Sequence, residues 1–85
     1  MVRRKKRISG IYSITNKINN KRYIGLSVSI YDRWYNHRGY LRHNSHVNPH
    51  LQNAWNKYGE KNFKFEILEM CDENELEKRE LYWID

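Results

Sequence analysis

Two short runs, Gly10-Ile11-Tyr12 and Tyr23-Ile24-Gly25, stand on either side of the polar stretch Asn16-Lys17-Ile18-Asn19-Asn20-Lys21. Apolar and aromatic runs around an Asn-rich segment are the pattern of a β-hairpin. Asn tolerates positive φ and hydrogen-bonds its own backbone, which suits it to the turn. The pattern predicts strands over 8–15 and 22–26, with Tyr12 and Ile14 on one face of the first and Ile11 and Ser13 on the other. An antiparallel hairpin then puts Tyr12 and Tyr23 on neighbouring strands near one end of the sheet. A hairpin does not itself require a tyrosine with a glycine beside it on each arm, so the two phenols need a second explanation.

Downstream, Ile30, Trp34 and Leu41 recur at helical spacing and predict a helix over 30 to about 42. Arg33, His37 and Tyr40 fall on an adjacent stripe and should emerge together. Asn48 followed by Pro49 is a cap and first-turn pair opening a second helix. Leu51, Ala54, Trp55 and Tyr58 form its apolar face, and Gly59 ends it. Residues 63–70 read as a third strand, with Phe63, Phe65 and Ile67 on one side and Leu68 and Met70 on the other. Asp72 with Glu75 resembles a capping box opening a last helix. The order predicts an α+β domain, a small three-stranded sheet packed by helices. Eighty-five residues allow one such core.

Charge is distributed unevenly. Residues 1–64 hold 14 Lys and Arg against two acids, Asp32 and Glu60, a balance of +12. Residues 65–85 hold two bases and eight acids, a balance of −6, so the sum is the +6 of the whole chain. A basic surface of that size suits a polyanion, and phosphodiester backbones are the commonest. Residues 1–7, five of them basic, are expected to form a disordered cationic tail. No apolar run is long enough to cross a membrane, and the basic start lacks the apolar core of a signal peptide. A single cysteine, Cys71, rules out an internal disulfide and points to a reducing, intracellular setting.

The last helix carries an anomaly. Its inward stripe runs Leu76, position 80, Trp83, and position 80 is glutamate. A carboxylate is rarely buried without a partner, so Glu80 should face an Arg, a Lys or a metal ion. Ion pairing with Arg79, Lys78 or Arg33 is the plain alternative.

Together, Gly10-Ile11-Tyr12, Tyr23-Ile24-Gly25, Arg33, His37 and Glu80 before Leu81-Tyr82-Trp83-Ile84 resemble the GIY-YIG endonuclease superfamily. The middle segment, residues 50–63, resembles its homing and free-standing phage-type members. The resemblance implies a three-stranded, mostly antiparallel sheet flanked by about three helices over 8–85. It implies cleavage of double-stranded DNA with a divalent metal, and a site of Tyr12, Tyr23, Gly25, Arg33, His37, Glu80 and His46. Tyr12 would activate water and Tyr23 would position phosphate. Gly25 would leave the second strand open to a phosphate. Lys21, Arg22 and His46 would contact substrate. It also implies an Asn beyond the last helix and a separate DNA-recognition region, neither found within these residues, so a truncated catalytic domain is expected. One site cuts one strand per event, and a double-strand break would need two nicks or a transient dimer on DNA.

Chemistry narrows the metal. With few acids in the basic part, a metal site would rest on Glu80 alone, with water and phosphate oxygens completing it. That suits a single Mg²⁺, or Mn²⁺. A free phenol is a poor base at neutral pH, so Arg33, Arg22 and the metal would have to lower the Tyr12 pKa. Arg33 offers a fork for two phosphate oxygens. His37 could donate to phosphate or manage protons near neutral pH, or serve only structurally. Zinc on His43, His46 and His50 is a weaker alternative, lacking a fourth ligand. Among functions, a nucleic-acid-binding module without catalysis and a protein-interaction domain using the acidic helix remain alternatives.

Overall fold

The computed structural model describes residues 7–84. The expected cationic tail therefore lies, except for Arg7, outside the described residues.

Three strands form one antiparallel sheet: β1 (Gly10–Asn16), β2 (Arg22–Ser27) and β3 (Phe63–Met70), in the order β2-β1-β3. The hairpin turn is held by its own asparagines. The Asn16 Oδ1 accepts from the Ile18 N–H, the Asn19 Oδ1 accepts from the Lys21 N–H, and Asn20 sits at φ 60°. The Lys17 N–H also donates to the Asn62 carbonyl, tying the turn to the start of β3.

Helices α1 (Ile30–Arg42) and α2 (Pro49–Tyr58) pack over the face of the sheet that carries Tyr12 and Ile14. The core there joins Tyr12, Ile14, Ile30, Trp34, Leu51 and Trp55. Asn48 caps α2 as expected, accepting from the His50 and Leu51 N–H groups, and Gly59 closes it at φ 88°. Gln52, not anticipated as a core residue, is buried and donates to the Leu41 carbonyl, which ties α2 to the end of α1.

Two expectations fail near the third strand. Ile11 pairs with Glu69 while Tyr12 pairs with Ile67, so Leu68 is an extra residue that breaks the alternation. Glu69, rather than Leu68 and Met70 together, therefore shares the side of Ile11, and Met70 is exposed. The capping box is also absent. A short 3-10 turn over Glu73–Glu75 precedes α3 (Leu76–Ile84), and the Asp72 side chain makes no cap hydrogen bond. What anchors α3 is Glu69. Its carboxylate accepts from the Arg79 Nε at 2.9 Å and from the Trp83 Nε1 at 2.9 Å. Along the expected stripe only Leu76 is fully buried, while Arg79, Glu80 and Trp83 are half-buried. No helix among the described residues is long and apolar enough to cross a membrane.

Candidate active site

The site begins with register. Tyr12 lies directly across from Gly25, and Tyr23 across from Ile14, so the tyrosines are diagonal neighbours on one face. The expectation that Gly25 admits a phosphate does not hold. A Cβ on Gly25 would lie 2.5 Å from the Tyr12 Cζ and closer still to its hydroxyl, so the Tyr12 ring already fills that space. The glycine makes room for the phenol. Gly10 serves the sheet instead. A Cβ there would meet the backbone carbonyl of Glu69 on β3, so the bare backbone permits close strand pairing.

Helix α1 brings His37 onto this phenol. Its buried residues are Ile30, Trp34, His37 and Leu41, so His37 belongs to the inward stripe. Arg33 and Tyr40 remain exposed. The Tyr12 hydroxyl is 2.7 Å from His37 Nε2, and His37 Nδ1 is 2.7 Å from His46 Nε2, the two imidazoles stacked at 4.9 Å. Tyr23 packs edge-on against both rings, at 5.6 Å and 6.4 Å.

One fixed donor sets the direction of this line. The Asn48 backbone N–H points at His46 Nδ1 at 3.0 Å, so that nitrogen must be the acceptor. In neutral imidazoles the proton then sits on His46 Nε2, which donates to His37 Nδ1. His37 in turn carries its proton on Nε2 and donates to the Tyr12 oxygen. The opposite direction would set two donors against each other at His46. The phenol oxygen is thus an acceptor, and its own proton is free to point outward.

Electrostatics agree with neutral histidines. Burial, then the His46 and Arg33 neighbours, lower the His37 pKa to about 4, and burial also lowers that of His46. His37 is therefore uncharged near neutral pH, which fits its donating or structural role better than proton management there. Tyr12, 1% exposed, is pushed up to about 12, chiefly by burial. Arg33 pulls the other way through a hydrogen bond and its charge, and the nearby charges of Tyr23 and Glu80 push further up. The lowering by Arg33 alone is outweighed by burial. Arg22 takes no part in it, since it lies with Lys21 at a separate cavity by the hairpin turn.

Glu80 is joined to this cluster by charge rather than contact. Among the described residues it forms no ion pair with Arg79, Lys78 or Arg33, and Arg79 is held by Glu69. The two acids of the basic part are engaged: Asp32 accepts from the Ser29 hydroxyl at 2.7 Å, and Glu60 accepts from the Arg42 Nε at 2.9 Å. Glu80 is therefore a half-buried carboxylate with no ion-pair partner among the described residues. No three metal-binding side chains gather among the described residues. His37 and His46 both use their two nitrogens, and His43 Nδ1 is engaged with the Gly39 carbonyl, so a zinc site does not fit. A shallow depression of about 180 Å³, lined by Arg33, Asn36, His37, Tyr40, His46 and Val47, opens beside the histidines.

Sequence reasoning brought Tyr12, Tyr23, Arg33, His37 and His46 to one place. It missed the Glu69 clasp on α3 and the orienting Asn48 N–H. His37 had a readable signal, since positions 30, 34, 37 and 41 form one helical stripe.

Known proteins are similar to this chain in sequence and fold. Residues 8–85 match the family described as the GIY-YIG catalytic domain. "Intron-associated endonuclease 1" of Enterobacteria phage T4 is 37% identical over 78 residues, 89% of this chain and 31% of that protein. "Putative endonuclease segB" of the same phage is 46% identical over 65 residues, 75% of this chain and 25% of that protein. This chain thus spans about a third or less of either relative. The solved catalytic domain of the homing endonuclease I-TevI superposes with a TM-score of 0.83 at 36% identity, covering 89% of this chain and 84% of that one. A mutant of the I-TevI catalytic domain superposes almost as well, with a TM-score of 0.82. A three-stranded antiparallel sheet with three helices, Tyr12 across from Gly25 with Tyr23 its diagonal neighbour, and the match along 8–85 converge: the chain belongs to the GIY-YIG family and carries its endonuclease catalytic domain.

Proposed function

We propose that this domain hydrolyses phosphodiester bonds of double-stranded DNA, one strand per event, with a single divalent cation, Mg²⁺ or Mn²⁺, held through Glu80. The observation that carries the reading is the Asn48–His46–His37–Tyr12 line ending on a buried phenol that Arg33 and Glu80 both influence. Chains of this family act as nucleases on DNA, and a domain of the same fold from a homing endonuclease covers most of these residues. A separate recognition region, pairing of two copies on DNA for a double-strand break and an intracellular setting complete the proposal.

Within it, the side chains divide the work. Tyr12 takes the proton of the attacking water as a phenolate. His37 Nε2–H and the Arg33 guanidinium both donate toward its oxygen and stabilise that form. At a pKa of about 12 only about one phenol in 10⁵ is ionised at pH 7, so added positive charge is needed. Arg33, exposed and permanently charged, keeps the donors not used on Tyr12 for a phosphate. Tyr23 positions phosphate or water from the neighbouring strand. His46 holds His37 in its donating tautomer and, lining the depression beside it, would also contact substrate. A bound divalent cation would supply charge for the phosphorane and leaving oxygen. One carboxylate suits Mg²⁺, which keeps most of its waters.

Nicking of supercoiled plasmid tests this. The parent should nick with Mg²⁺ and not with chelator, and Glu80→Ala should be inactive while still folded. Robust cleavage by Glu80→Ala would remove Glu80 as the metal ligand. Salt-sensitive DNA binding without nicking by the parent would favour a binding module.

A further inference from the structure

Tyr23, which packs against the histidines, also lines a cavity of about 230 Å³ by the hairpin turn. That is far more than the ~10–15 Å³ a single water needs. Its floor is apolar, made by Ile14, Leu51, Ala54 and Phe63 with Tyr23 as one wall. Its rim is cationic and polar, with Lys21 and Arg22 from the end of the hairpin turn and His50 from the first turn of α2. The first N–H groups of α2 are already bonded to Asn48, so this is no simple helix-end anion site.

One buried group marks the interior. Asn16 is 2% exposed and lines the cavity, and its Nδ2 has no partner among the described residues. Its Oδ1 accepts from the Ile18 N–H at 2.9 Å, which identifies the other atom as the donor. A buried N–H left unsatisfied is costly, and such groups usually have a partner in the functional state. An acceptor carried on a flat, largely apolar body with a negative group would match Asn16, the apolar lining and the Lys21 and Arg22 charges. A nucleobase attached to its phosphate has that chemistry: a carbonyl or ring nitrogen for Asn16, a face for Tyr23 and a phosphate for Lys21 and Arg22.

We infer that this cavity receives an unpaired nucleobase of the cleaved strand, close to the bond being cut, with Asn16 Nδ2 donating to the base. The inference deepens the DNA-cleaving reading. It explains why Lys21 and Arg22 stand apart from the phenol cluster yet share Tyr23 with it. Holding a displaced base there would fix the strand against the catalytic residues, because Tyr23 is wall to both.

The test needs no cleavage, so it fails or succeeds apart from the catalytic proposal. The Asn16 side-chain amide is followed by NMR in the whole chain during titration with dTMP, dGMP, inorganic phosphate and a single-stranded dT hexamer. The nucleotides should shift the amide, phosphate alone should leave it in place, and the hexamer should act at lower concentration than dTMP. Asn16→Asp keeps the oxygen that holds the turn but replaces the donor, and should weaken dTMP about tenfold. Ala54→Leu fills the floor and should abolish the shift, with Asn16 intact. Equal shifts with phosphate would overturn the proposal, reducing the site to rim cations. Shifts with dTMP but not the hexamer would overturn it in favour of a free-nucleotide site. No response to any nucleotide, or undiminished binding in both variants, would also overturn it.

Discussion

Gly25→Ala tests the central contact of the site. The added Cβ would stand 2.5 Å from the Tyr12 Cζ and nearer still to the hydroxyl, against ordinary carbon contacts of about 3.5–4.0 Å. The phenol must therefore move by about 1 Å. It is not free to do so cheaply, being 1% exposed, edge-on to Trp34 at 6.3 Å and bonded to His37. Overpacking costs about 1–3 kcal/mol and loss of the His37 hydrogen bond adds about 1 kcal/mol. A small domain with about 5–15 kcal/mol of stability survives this. Activity should suffer more, since misplacing a reacting group by about 1 Å costs about 100-fold. Plasmid nicking and thermal melting by circular dichroism are measured on Gly25→Ala, Tyr12→Phe and the double variant. In the Tyr12→Phe background the hydroxyl is absent, so Gly25→Ala should cost less than about threefold further, a strong non-additivity. Gly10→Ala serves as contrast: its clash is with backbone, so fold and activity should fall together. A folded Gly25→Ala with parental nicking would refute the role of the Tyr12 hydroxyl, as would an undiminished loss in the double variant.

Two further outcomes follow from the same contacts. His37 has its folded pKa lowered from the ordinary 6.5 to about 4, so between these values the unfolded chain binds more protons and acidification destabilises the fold. Urea unfolding should show a loss of roughly 2 kcal/mol from pH 6.5 to 4.5, and His37→Gln should flatten that slope. An unchanged slope would place the proton elsewhere. Asn48→Ala removes the side-chain cap of α2 while keeping the N–H that holds His46, so it should cost about 1 kcal/mol and lower Tm by about 4–8 °C. Nicking measured well below the melting temperature should stay within about threefold of parent, because about 1 kcal/mol leaves most of the chain folded.

Local rules were the legible part of this chain. The Asn-rich turn, the Asn48-Pro49 start, the Gly59 end and the span of α1 each depend on residues within one or two turns of one another. Position 37 was legible in principle, but a histidine on an apolar stripe invites a solvated reading until its partner is known. The partner comes from β1, 25 residues away. The extra residue at Leu68 left no local mark, because nothing in residues 63–70 distinguishes a bulge from plain alternation. Once it is present, Glu69 turns to the Ile11 side and captures Arg79 and Trp83, which no helix-local rule anticipates. The role of Gly25 also depended on register: only when Tyr12 lies across from it does a missing Cβ become space for a ring. Charge at Tyr12 was legible in sign, but the weight of burial against it was not. Arg33 is present, but burial outweighs it.

That balance at Tyr12 can be measured without metal or DNA. The phenol is raised from 10 to about 12, so between these values the folded chain holds a proton the unfolded chain has lost. Its contribution to stability is complete below about pH 10 and disappears as pH rises through about 12. The full span corresponds to roughly 3 kcal/mol, from about two pH units at 1.36 kcal/mol each. Denaturation followed from pH 9 to 11 should therefore show a decline that is shallower in Tyr12→Phe. Glu80→Gln removes a charge that raises the phenol pKa, so its decline should also be shallower than the parent's. Arg33→Gln removes a hydrogen bond and a charge that lower it, so its decline should be steeper. Arg33 and Glu80 sit on different helices, and among the described residues no ion pair joins them. Opposite shifts from the two substitutions, both vanishing in a Tyr12→Phe background, would therefore require that both charges act on this one hydroxyl. Identical slopes in Glu80→Gln and parent would mean that the carboxylate does not reach the phenol, and a cation held there would not reach it either.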